Sequence, residues 1–366
     1  MNRAIFLVPL AVLSEAAAAP PSAPVPQVPQ SPMRIANFQA GPVRCGALEN
    51  IPVRAVAPLP VAAAIADPGV PIRLAFRIDQ EGRPLGIRQI GGLAYPALDM
   101  RDLAPALTAW RFEPGAEQTE CEIAFAVRLD SVQSADEALL HRYAALGRMQ
   151  IPGSNGGALV GQAFVRLRPR GSTCMVDPAP REPITLPFQS IPEIPGGISY
   201  SFFGYDVDAE GRPVHIRLLG SSGNRMLDMS GDIAIGRARF PPRPRTGCLY
   251  YFYRHSTEAA PAPAQPPVDF HPAGSACAEN VSREVATHFR MRYPVEFMRR
   301  PAEGWVVFTH DVERSGALAN IRILASEPAA RFGEEVLRAA AEVRVGPIPN
   351  AQLGCVQRVR FVLPRR

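Results

Sequence analysis

Lysine is missing from the 366-residue chain, so all 39 of its basic residues are arginine. Against 34 acidic residues these leave a formal net charge of only +5, too mild a field to imply a nucleic-acid partner. Neither a CxxC pair nor a cysteine-histidine pair at ligand spacing occurs, and His141, His215, His255, His271, His288 and His310 share no ligand spacing, which argues against a zinc site. Ser221 and Ser222 sit in a Gly-Ser-Ser-Gly run, whereas a nucleophile elbow needs GxSxG between strand and helix. Without a nucleophile, metal or phosphate motif, the sequence gives no reason to expect catalysis, a cofactor or a small-molecule substrate. Long apolar runs are lacking as well. The longest, Ala4 to Leu13, is about half of the roughly 20 residues that cross a bilayer.

That run follows Met1-Asn2-Arg3 and precedes small residues ending at Ala18-Ala19, the three parts of a secretory signal peptide over residues 1–19. Export to the periplasm is the expected destination. Of 40 prolines, many fall in two stretches. The first, Pro20 to Pro32 in a tether expected over residues 20–39, has the composition of an extended polyproline segment, reaching roughly 40 Å at about 3.1 Å per residue. The second, residues 256–268, reads as a proline-alanine linker.

Between these stretches the chain repeats itself. Ile72, Leu74, Phe76 and Ile78 alternate with Arg73, Ala75, Arg77 and Asp79, the period of a half-buried strand, and Glu81-Gly82 then lets the chain reverse into a second strand. Asp79-Gln80-Glu81-Gly82-Arg83-Pro84 returns as Asp208-Ala209-Glu210-Gly211-Arg212-Pro213. Leu98-Asp99-Met100 returns as Leu227-Asp228-Met229, and Cys45 as Cys174, all at one offset. A constant offset over that length marks duplication. A third copy puts Gly316 opposite Gly82 and Ile321-Arg322 opposite Ile87-Arg88. Each copy reads as strand, strand, helix, strand. The helix after the first hairpin, over Met100 to Ala109, holds Pro105 and should be short or kinked, and that of the second copy should be weak because Gly231 and Gly236 interrupt it. A bulge is expected near Phe202-Phe203-Gly204. The expected division is repeat 1 over residues 40–132, a helical connector with a possible Ser134 cap over 133–157, repeat 2 over 158–255 and repeat 3 over 269–366.

The six cysteines fall one pair to a repeat at nearly equal spacing, which favours Cys45 with Cys121, Cys174 with Cys248, and Cys277 with Cys355. Each bond would tie the segment before a hairpin to the start of that repeat's last strand. Arg237, Arg239, Arg243 and Arg245 could meet phosphate or lipopolysaccharide, although the mild overall charge makes a solvated loop the simpler reading.

Tyr293-Pro294, Gly304-Trp305, Gly316, and the run from Ile321 through Pro328 into Phe332–Ala340 resemble the C-terminal domain of TonB-family proteins. Repeat 1 carries a complementary part of that signature in Trp110-Arg111-Phe112-Glu113-Pro114, and repeat 2 keeps Arg239-Phe240-Pro241. The resemblance implies an α+β fold: three tandem small domains, each a three-stranded antiparallel sheet with one or two helices packed on it, stapled by disulfides. It also implies a non-enzymatic protein of the Gram-negative periplasm that binds protein or peptide partners, including segments of outer-membrane receptors, by adding them as strands to a sheet edge. The edge singled out is the final strand: Val356, Gln357, Arg358, Val359, Arg360, Phe361 and Val362. Two other readings stay open, an envelope scaffold with no open edge and a membrane-anchored energy transducer with an uncleaved N-terminus.

Overall fold

The computed structural model describes residues 32–91, 98–147, 156–265, 275 and 277–363. The expected leader, and the tether as far as residue 31, lie outside these residues. The tether's expected end does not hold, because Arg34–Ala40 forms the first strand, β1. After it come β2 (Val43–Cys45), β3 (Leu48–Asn50), β4 (Val61–Ala63), β5 (Ile72–Ile78), β6 (Pro84–Gln89), a short helix α1 (Leu103–Thr108) and the 13-residue β7 (Gln118–Asp130). The β5–β6 turn shows why the Asp-x-Glu-Gly-Arg-Pro motif recurs. Asp79 Oδ1 accepts from the backbone N–H groups of Glu81 and Arg83, and Gly82 sits at φ +73°. A Cβ on Gly82 would lie 2.1 Å from the Phe112 carbonyl oxygen, so this position excludes every side chain. Gly211 against Phe240 and Gly316 against Val345 repeat that approach at 2.2 and 2.0 Å.

Repeat 1 departs from the expected three strands. β5 pairs with β6 on one side and with one edge of β7 on the other, while β1 and β2 occupy the second edge of β7, giving seven strands in all.

The connector holds α2 (Glu137–Leu146) and α3 (Gly156–Leu167). Asp136 caps α2 by accepting from Leu139 N–H at 2.7 Å, whereas Ser134 is spent on a local turn with Ser131. Repeat 2 follows with β8 (Ile198–Val207), β9 (Pro213–Ser221), α4 (Arg225–Arg237) and β10 (Arg245–His255), in sheet order β10-β8-β9. Its register slips between Phe202 and Phe203 as expected, with Leu219 of β9 as the extra residue. The expected weakness of α4 is overturned. It runs 13 residues, because Gly231 lets it approach the rings of Phe203 and Phe252, where a Cβ would come within 2.7 and 2.9 Å. Packing outweighs the propensity cost.

In repeat 3, α5 (Glu279–His288) precedes β11 (Gly304–Val312), β12 (Leu318–Glu327), α6 (Ala330–Glu342) and β13 (Gln352–Phe361), in sheet order β12-β11-β13. The three cysteine pairs form as the spacing suggests, closing separations of 76, 74 and 78 residues.

The repeats are not beads on a string. Repeats 1 and 3 share one apolar core, in which Ile87, Leu103 and Trp110 pack in the same cluster as Phe297, Phe332 and Phe361. A buried ion pair crosses the junction, Arg300 to Asp102 at 2.8 Å, and Ile87 N–H donates to Pro328 O at 3.0 Å. The expected linker is docked too. Ala260 N–H donates to Pro301 O at 2.8 Å, and the Trp305 indole donates to Pro263 O at 2.9 Å. Repeat 2 joins repeat 1 through α2 and α3, whose Leu140, Tyr143 and Val160 cluster with Ile35 of β1 and with Tyr200 and Phe202 of β8.

Candidate functional site: the outer edges of the last strands

Each repeat ends in a strand that pairs with the centre of its sheet on one edge only, so its other edge is where the chain can meet something else. The disulfide clips the preceding segment to the first part of that outer edge. In repeat 1, Cys45 stands in register with Cys121. In repeat 2, the N–H groups of Thr173 and Cys174 donate to Thr246 O at 3.1 and 3.2 Å. In repeat 3, Ser275 Oγ donates to Gly354 O at 2.9 Å.

Beyond the disulfide the repeats differ. β1 lies antiparallel on β7 from Ile35 opposite Asp130 to Ala40 opposite Phe125. The corresponding parts of β10 and β13, Phe252–His255 and Val359–Phe361, have no added strand among the described residues. Repeat 1 therefore carries out, within one chain, the strand addition that an open edge in repeats 2 and 3 would offer to a second chain.

At β13 the side chains alternate. Cys355, Gln357 and Phe361 are buried, Val359 is half-buried, and Arg360 and Val362 are exposed. α5 packs on the inner face, where Gln357 Nε2 donates to Ser282 O at 2.6 Å. Val356 and Arg358 lie on the opposite face, in register with Thr309 and Val307 of β11.

The remaining motif residues position the fold rather than line the edge. Tyr293 Oη donates to Ala302 O at 2.7 Å and accepts from Ala302 N–H at 3.0 Å, and burial pushes its pKa up to about 12. Pro294 opens the turn into Val295–Met298. Gly304 is required by closeness, since a Cβ there would stand 2.4 Å from Glu327 O and 2.9 Å from the Phe332 ring. Trp110 donates its indole N–H to Val56 O at 2.9 Å, and Phe112 stacks on Phe76. Sequence reading missed β1 because its apolar residues do not alternate. Ile35 packs towards the helices of the connector while Ala36 and Phe38 pack into the core of repeat 1, so a strand covered on both faces loses its period.

Residues 290–363 match the family described as Gram-negative bacterial TonB protein C-terminal. Among solved structures, the solution NMR structure of the Pseudomonas aeruginosa TonB CTD is 24% identical. The match covers 22% of this chain and 84% of that one, at a TM-score of 0.20. No curated protein matches. Within repeat 3, residues 290–363 are thus similar to a TonB C-terminal domain.

Proposed function

We propose that the protein is a non-catalytic periplasmic binding module that takes an extended peptide of a protein partner onto the outer edge of β13 by strand addition, a role related to outer-membrane transport. The observation that carries the reading is β1 on β7, which fills in repeat 1 the edge that Val359–Val362 presents in repeat 3. Main-chain hydrogen bonds give such a complex its affinity, and the exposed Arg360 and Val362 give it preference, favouring a partner strand with an acidic and an apolar residue on that face. The TonB family supports a protein partner, and three disulfides suit an oxidising envelope compartment. A scaffold role has one observation in its favour, the closed edge of repeat 1, and it applies to that repeat alone.

The test is fluorescence anisotropy of the full chain with labelled peptides of about eight residues copied from plug-proximal receptor segments. Prolines are placed in separate variants at Val359 and Arg360. Along an antiparallel strand successive N–H groups point to opposite sides. One of the two variants therefore removes an outward donor, and far-UV circular dichroism identifies the one that leaves the sheet intact. Saturable binding that falls at least about tenfold in that variant is expected, a loss on the order of 1.4 kcal/mol. Binding that ignores both prolines, or no binding to any peptide, overturns the reading.

A further inference from the structure

The helices of the three repeats are equivalent elements, yet their outward faces are finished differently. α1 is buried at the junction with repeat 3. α6 presents ion pairs to solvent, Arg331 with Glu334 and Arg338 with Glu335. α4 instead presents Met226, Met229 and Ile233, which are 42%, 58% and 50% exposed and lie three and four residues apart on one stripe. An apolar helix face left uncovered where its counterparts are covered or laced with charge is the mark of a surface that something else covers.

This stripe runs at Ile233 into a groove beside it. Residues 181–187 run beside the C-terminal half of α4 and leave a groove of about 640 Å³, lined by Ile184, Ile233 and Ala234 among others. The far wall is held by Arg181 N–H donating to Arg239 O at 2.7 Å, and Pro183 and Pro187 stiffen it, so the groove stands ready before anything enters. A rigid groove suits a narrow occupant better than a flat membrane. Arg181, Arg225, Arg237 and Arg239 ring the stripe, all exposed, and none has an ion-pair partner among the described residues. Arg239 donates to the carbonyls of Arg237 and Ala238, which fixes its place at the end of α4. The carboxylates at the rim are Glu182 and Asp232. The arginines outnumber them by two.

We infer that the groove between α4 and residues 181–187 is a docking surface for an acidic amphipathic helix of another protein. Its apolar residues would enter over Ile184, Ile233 and Ala234 and continue along the adjoining Met229 and Met226, and its carboxylates would meet the guanidinium groups at the rim. This site is separate from the β13 edge and stands or falls without it.

The probe is a labelled synthetic helix of about 14 residues with leucines on one face and glutamates flanking them, titrated against the full chain by fluorescence anisotropy. Its counterpart with lysines for the glutamates, and vesicles of phosphatidylglycerol, serve as the other two arms. Saturable binding of the acidic helix is expected, weakening with salt and at least about tenfold tighter than that of the basic one. It should weaken by a similar factor in the double variant Arg237→Glu, Arg239→Glu and separately in Met229→Glu, all exposed positions whose change leaves the fold intact. Val359→Pro should leave it unchanged. Equal affinity for both peptides, indifference to these substitutions, or binding to vesicles with none to the acidic helix would overturn the inference, the last by assigning the surface to a membrane.

Discussion

One core position shows what the duplication has and has not kept. Phe76, Tyr205 and His310 are equivalent, and each is buried in its repeat. Phenylalanine needs no partner there. The Tyr205 hydroxyl and His310 Nε2 find none among the described residues. Burial lowers the His310 pKa below its ordinary value, with the Asp311 carbonyl and carboxylate opposing in part. A histidine whose folded pKa lies below its unfolded value of about 6.5 contributes stability that is intact above that pH and lost as the pH falls below it. The protein should therefore melt at a lower temperature at pH 5 than at pH 7.5, and His310→Phe should shrink that difference. His141, lowered by the same cause, leaves a remainder. A thermal scan at the two pH values decides it, and an undiminished difference in the variant would assign the effect elsewhere.

Among the elements, the staples matter most for sheets this small. Cys277 and Cys355 close a loop across nearly the whole of repeat 3. Replacing both with serine should cost about 4 kcal/mol by the chain-entropy model. Urea titration of the variant beside the parent measures it, with both under reductant as the control in which they should converge. These pairs could be read from spacing alone, and β5 from the alternation of buried Ile72, Leu74, Phe76 and Ile78 with Arg73 and Arg77, which keep some exposure. The Gly82 turn was legible for another reason, since both its positive φ and its contact with Phe112 demand the same residue. Two elements whose context lies elsewhere in the chain were not. β1 was hidden in what looked like tether, and α4 looked broken because Gly231 reads as a helix breaker until Phe203 and Phe252 are seen against it. The candidate edge at β13 was legible as a strand. Its openness depends on which segments reach β7 and which reach β13, and no local pattern carries that.

For the whole molecule, the decisive feature is that repeats 1 and 3 complete one another. Asp102 accepts from Arg300 Nε at 2.8 Å and also from Leu59 N–H at 2.7 Å, while Arg300 reaches Ala57 O at 3.0 Å. Arg300 is only 2% exposed, so removing its partner strands a charge inside the protein. Asp102→Ala should cost about 3–5 kcal/mol, much more than an exposed pair such as Arg283–Glu279, whose loss should pass almost unnoticed. Chemical denaturation of the two variants compares them directly. Loss of Asp102 should also loosen both repeats together, which hydrogen exchange would register as faster exchange in β6 and β12 at once.

That closure sets an order in time. Asp102 and Arg300 are 198 residues apart, so at about 5–20 residues per second the partner of Asp102 leaves the ribosome about 10–40 s later. Over that interval Leu103, Leu107 and Ile87 have no Phe297 or Phe332 to cover them. Repeat 1 cannot complete its core until the last quarter of the chain arrives.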